Sequence, residues 1–208
     1  MTLWKTTRVD GKDFFSQSVN YGTAVGGAAV MVASPGGVMP GPGWLHYSPH
    51  ISDCVGMRWP CRLFEVTTSG ATIDNGRFYG AAGLQVVAER SSLLTLGPQS
   101  SNMNALITAL LALNSTQVQA LDDATGGSAD HAGAWVAEWK AGWDNHRNAV
   151  MDAVCDVGQA KAGTAGVRVL AGLLVRDLID ERDYNLLTEP WRDVFGPIHP
   201  LDPDWGTP

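Results

Sequence analysis

The chain has 208 residues, 45% of them apolar and only 17% charged, with a formal net charge of −7. That length can bury the core of one large domain or two small ones, and the apolar share excludes disorder over the whole chain. Residues 1–98 carry seven Lys or Arg against six Asp or Glu, and residues 99–208 carry seven against fifteen; so acidic a second half repels phosphate backbones and argues against sequence-independent nucleic-acid binding.

Leu3 to Val9 mixes bulky and β-branched residues and runs into the turn pair Asp10-Gly11, which predicts a strand and a turn. A short strand is expected within Asp13 to Tyr21. The apolar run Ala28-Ala29-Val30-Met31-Val32-Ala33, inside Gly26 to Ser34, predicts a buried strand. Glycines crowd between Gly22 and Gly43 and again between Gly76 and Gly83, which marks both stretches as loop-rich. Trp44 to Tyr47 is a brief strand ended by Ser48-Pro49, and Ser48 or Ser52 caps a short helix through Met57. Cys61 to Thr67 alternates, Leu63 and Glu65 on one face and Phe64 and Val66 on the other, with Thr67 to Gly70 leaving the strand. Leu84 to Glu89 gives one more strand, and Leu93 to Gly97 closes the β-rich half.

From Ser101 the period changes. Met103, Leu106, Ile107, Leu110, Leu111 and Leu113 recur at helical spacing behind Ser100 or Ser101 as cap, and Asn114 with Gln117 forms a capping box for a second helix to about Ala124. Beyond Gly126-Gly127-Ser128, the side chains Trp135, Trp139, Trp143, Val150, Val154 and Val157 share one helix face. Gly163 interrupts, and Val167 to Arg182 forms another amphipathic helix. Thr188 to Trp191 starts one more helical turn, which Gly196-Pro197 must end. The expected architecture is α+β, a β-rich domain over 1–98 and an acidic helical domain over 99–208, separate or packed on the first as one unit.

No apolar stretch approaches the roughly 20 residues of a membrane span. The N-terminus has no apolar segment behind its charges, so no secretory signal is expected. Three cysteines without framework spacing agree with a reducing compartment. The expected location is the cytoplasm, that of the host cell if the protein is phage-encoded.

His46, His50, Cys54 and Cys61 are the ligand types zinc takes. Pro49 breaks any shared helical face and the cysteine spacing is no knuckle, so no metal is expected. His46 sits beside Trp44 and Tyr47 at a strand end after a Gly-rich loop, where it either binds a ligand or bonds a carbonyl and orders the loop. His46 and Glu65 are the catalytic candidates, although Glu65 is equally read as a surface carboxylate paired with Arg62 or Arg58. No P-loop, dinucleotide fingerprint or nucleophile elbow is present, and no cofactor is expected. Trp135, Trp139 and Trp143, with Trp44 and Tyr47, are the binding candidates, the three-residue stripe serving as either a partner face or core.

Trp44-Leu45-His46-Tyr47-Ser48-Pro49 followed by Arg62-Leu63-Phe64-Glu65-Val66 resembles a motif pair of uncharacterised proteins from actinobacteria and their phages. The stretch Leu84 to Glu89 resembles the strand that often follows in them, and Pro190-Trp191 through Gly196-Pro197-Ile198-His199-Pro200 resembles their C-terminal signature. A further similarity, to small ADP-ribosyltransferase-like domains, maps only His46, Ser48 and Glu65 and implies a nucleotide- or NAD-handling enzyme. The missing catalytic motifs and the acidic helical half point instead to a phage or prophage regulatory protein that binds another protein, such as a recombinase or other DNA-handling enzyme. A virion structural component is the third reading.

Overall fold

The computed structural model describes residues 2–54, 58–76, 78–125, 148–196 and 198. The protein is α+β, with strands in its N-terminal half and helices in its C-terminal half. The chain divides into two compact units, residues 1–95 with 145–150 and residues 96–144 with 151–208.

The first unit holds strands β1 (Leu3–Thr7), β2 (Val30–Met31), β3 (Leu45–Tyr47), β4 (Arg62–Asp74) and β5 (Tyr79–Arg90), all paired antiparallel. β4 and β5 form a long hairpin and β1 flanks β4. The other edge of β5 carries β3 along Tyr79 to Ala81 and β2 at Gly83 and Leu84. Just past β3, Ser48 and Trp4 exchange two backbone hydrogen bonds of 2.8 Å. That bridge returns β3 to β1, so the path β1, β4, β5, β3 closes on itself at the end of β4 that pairs with β1. Tyr21, Leu45, Phe64, Val66, Ala81, Leu84 and Val86 form its core, each large side chain contributing about 1.5–3 kcal/mol of burial before chain entropy is subtracted.

Several sequence expectations are corrected here. β4 does not leave the sheet at Thr67; it continues through two irregularities to Asp74, with Gly70 at φ 76° in the second. Asn75 and Gly76 make the hairpin turn, Asp74 Oδ1 accepting from Gly76 N at 2.7 Å and Asn75 Oδ1 from Phe78 N at 2.8 Å. Gly80 and Gly83 lie inside β5, where Met39, Trp44 and Met31 press against the space that a side chain would fill. Those glycines mark close packing in place of a loop. Of the apolar run 28–33, Val30 and Met31 pair as a strand and Val32 N adds a bond to Ala82 O at 2.9 Å, and Met31 is 51% exposed. The stretch Asp13 to Tyr21 is loop apart from a single Lys12 to Asn20 bridge. Ser92–Gln99 winds into 3-10 turns because the Ser91 and Thr95 hydroxyls bond nearby backbone groups and Gly97 adopts φ 73°. Residues Ile51–Asp53 form one 3-10 turn of the expected helix; Val55, Gly56 and Met57 lie outside the described residues.

The second unit contains helices α1 (Ser100–Ala112), α2 (Ser115–Ala124) and α4 (Glu181–Phe195), and α3 (Asn148–Leu174) from Met151 onward. The capping box forms as expected: Asn114 Oδ1 accepts from Gln117 N, and Gln117 Oε1 accepts from Asn114 N, each at 3.0 Å. No serine caps α1, whose N-cap is Gln99 without a side-chain bond. α3 breaks at Ala162 and Gly163, the latter at φ 54°, where the sequence places an interruption. It then ends at Leu174, short of the expected Arg182. A new helix starts at Asp180, whose carboxylate accepts from Asp183 N at 2.8 Å, and runs straight through Pro190. The Trp135, Trp139 and Trp143 stripe lies outside the described residues.

Pro190 lacks the N–H that would satisfy the Leu186 carbonyl one turn back. The buried Arg168 of α3 supplies that donor, its Nη2 lying 2.5 Å from Leu186 O. A guanidinium from one helix thus repairs the defect a proline makes in the next. Arg168→Met is expected to cost about 2 kcal/mol, the range of a hydrogen bond to a charged donor, and to cost clearly less in a Pro190→Ala background, where residue 190 regains its own N–H. Chemical denaturation of the four proteins measures that coupling; equal losses in both backgrounds would refute the compensation.

Candidate functional site

A small pocket in the strand-rich unit is lined by Trp4, Lys5, Thr6, His46, Tyr47 and Cys54. β1 contributes three consecutive residues and β3 two, held level by the Trp4 to Ser48 bridge. Ser48 fixes the following turn, donating from Oγ to His50 O at 2.7 Å and accepting from His50 N at 3.2 Å. The space open to the centre of a water molecule is about 10 Å³, room for one.

Lys5 gives the pocket its charge. It sits mid-strand, only 6% exposed, and its Nζ donates to Asp13 Oδ2 at 2.6 Å while lying 5.2 Å from the Tyr21 ring centre. Burial alone would raise the Asp13 pKa. The Lys5 charge, its hydrogen bond and the amides of Phe15 and Ser16 outweigh burial and bring it to about 2. His46 moves below its usual value because burial and the Lys5 charge both disfavour the imidazolium, with Asp13 opposing. Near neutral pH its ring is therefore uncharged and one ring nitrogen is an acceptor. Burial pushes the Cys54 and Cys61 thiols up to about 12, which leaves them protonated and poor metal ligands. Three buried side-chain atoms of this unit have no hydrogen-bond partner, Thr6 Oγ1, Tyr21 OH and His46 Nε2. The Thr6 hydroxyl stands near enough to the Cys54 sulfur to draw its pKa down somewhat, but outside hydrogen-bond geometry.

His46 and Glu65 are not brought to one pocket. Glu65 is absent from the lining around His46, and its Oε2 accepts from Arg90 Nε at 2.9 Å and Nη2 at 2.5 Å. Its partner is thus Arg90 and neither Arg62 nor Arg58, because the β4 to β5 register sets Glu65 opposite Ala88 and makes Arg90 its diagonal neighbour. Arg62 is bound to Glu89 at 2.8 and 2.7 Å. Among the described residues no three His, Cys, Asp or Glu side chains gather as a metal site. Trp44 Nε1 donates to Gly37 O at 3.1 Å and so braces the Gly-rich loop, while Tyr47 packs against Tyr79 with ring centres 5.9 Å apart.

The sequence reading passed over Lys5, Thr6, Asp13 and Phe15. Lys5 carried a signal: it occupies a strand position whose cross-strand partner is the fully buried Phe64. A charged residue in a run that otherwise reads as core calls for a counter-charge close by. Among the described residues no helix is long and apolar enough to cross a membrane. No protein-family model, curated protein or solved structure matches the chain.

Proposed function

We propose that this protein is a non-enzymatic accessory module that acts by binding another protein, and that the loop after β1 is its recognition element. The carrying observation is how that loop is held. Asp13 uses one oxygen for buried Lys5 and the other for the amides of Phe15 and Ser16, at 2.9 and 3.1 Å. This fixed turn presents Phe15, 68% exposed, and Val9, in the preceding Arg8 to Gly11 turn, is 62% exposed. An aromatic ring buries on the order of 150–250 Å² on docking. Little ordering entropy opposes its binding, because the backbone beneath it is already fixed by a buried ion pair.

A pocket with room for one water, and a Glu65 committed to Arg90, favour this reading over nucleotide or NAD chemistry at His46. The helical half, with seven Lys or Arg against fifteen Asp or Glu over residues 99–208, suits a partner that also carries a basic surface. DNA-handling enzymes such as recombinases carry such surfaces, in keeping with the phage-type motif resemblance.

Phe15→Ala is expected to weaken capture of the partner from an actinobacterial lysate ten- to hundredfold, the range for a central aromatic anchor. The melting temperature should stay unchanged, and Gln85→Ala on exposed β5 should bind as wild type. Equal recovery by wild type and Phe15→Ala would remove the loop from the interface.

A further inference from the structure

We infer that the pocket between β1 and β3 is a binding site for one structural water molecule, held by Thr6 and His46. Both residues line a space of about 10 Å³. A buried water is retained where two to four polar partners converge in a space of about that size. The Trp4 to Ser48 bridge sets Thr6 across from His46 in the antiparallel pairing of β1 with β3. Thr6, 1% exposed, offers a hydroxyl outside hydrogen-bond geometry with any protein group, and His46 offers an Nε2 likewise unpartnered. Water donates to Nε2 and shares a hydrogen bond with the hydroxyl. A cation is disfavoured by Lys5 and by a protonated Cys54 thiol. An anion larger than a single oxygen exceeds the space.

The alternative, a hydroxyl and an imidazole nitrogen buried with no partner, costs roughly 1–3 kcal/mol for each group. Bound water offsets that cost and ties β3 to β1 beside the Trp4 to Ser48 bridge. Such a water occupies its site whether or not a partner docks at Phe15, so the two readings stand or fall separately.

Thr6→Val removes the hydroxyl and keeps the shape. If water bridges the site, one of its partners is lost and the melting temperature falls by about 2–4 °C. If the hydroxyl is merely orphaned, an isosteric methyl leaves stability unchanged or raises it. In the wild-type protein, nuclear Overhauser contacts from a long-lived water to the Thr6 methyl and the His46 ring protons are the second readout, which decides the matter should the variant fail to fold. Both a fall in melting temperature and those contacts are expected; an unchanged or higher melting temperature, or their absence in the wild type, overturns the assignment.

Discussion

Lys5→Met destabilises the protein by about 3–5 kcal/mol at neutral pH, the cost of stranding one member of a buried ion pair. Met matches the length of the Lys stem, so packing against the Tyr21 ring is largely preserved and the loss reports the charge. Asp13 is left as a buried carboxylate whose opposing cation is gone. In the wild type Asp13 titrates near 2 against an ordinary 3.8. Its contribution, of the order of 2 kcal/mol, is therefore complete above the ordinary value and disappears as the pH falls through 3.8 toward 2. The variant behaves in the opposite sense. Without Lys5, burial raises the Asp13 pKa, so protonation on acidification relieves the strain and the gap to wild type narrows from pH 7 to pH 4. Denaturation midpoints at those two pH values test this, and a small loss that ignores pH would mean that the pair carries little. Adding Asp13→Asn to Lys5→Met removes the stranded charge while keeping an oxygen for the Phe15 and Ser16 amides, so most of the stability returns.

The same pair explains what sequence reasoning could and could not reach. Hydrophobic period separated strand half from helical half, and the Asn114 to Gln117 box and the Gly163 break followed from local chemistry, because each depends on residues within a turn of one another. What escaped was set by partners far along the chain. Gly80 and Gly83 look like loop residues until Met39, Trp44 and Met31 are seen against them. Pro190 looks like a helix start until Arg168 is seen on the carbonyl it orphans. Glu65 found its cation 25 residues away on the neighbouring strand. His46 was legible as a residue in a structured turn, but its pocket is made by Thr6 and Lys5 of another strand, which no spacing in the sequence links to it.

Gly158→Ala and Gly166→Ala provide the second large effect, and their direction opposes intrinsic propensity. In an exposed helix, Gly→Ala stabilises by close to 1 kcal/mol. Residues eight apart in an unbroken α-helix lie about 12 Å apart along its axis, yet Gly158 and Gly166 meet because α3 folds back at Ala162 and Gly163. A Cβ on Gly158 would lie 2.6 Å from the Gly166 carbonyl carbon, and one on Gly166 would lie 2.5 Å from Gly158 O. Both obstacles are backbone, which cannot rotate aside as a side chain does, so relief requires the two arms of α3 to part and the buried leucines at 170 and 173 to repack. Each substitution is expected to cost about 3 kcal/mol or more, at the upper end of overpacking in a core. Gly158→Ala/Gly166→Ala should cost less than the sum of the two, since arms already parted by one methyl accept the second more easily. Gly172 is a related case: its Cβ would lie 2.9 Å from Leu187 Cβ, an atom that no rotamer change moves, so Gly172→Ala is also expected to destabilise. Were Gly158→Ala to melt at or above the wild-type temperature, the close crossing of the two arms would be wrong.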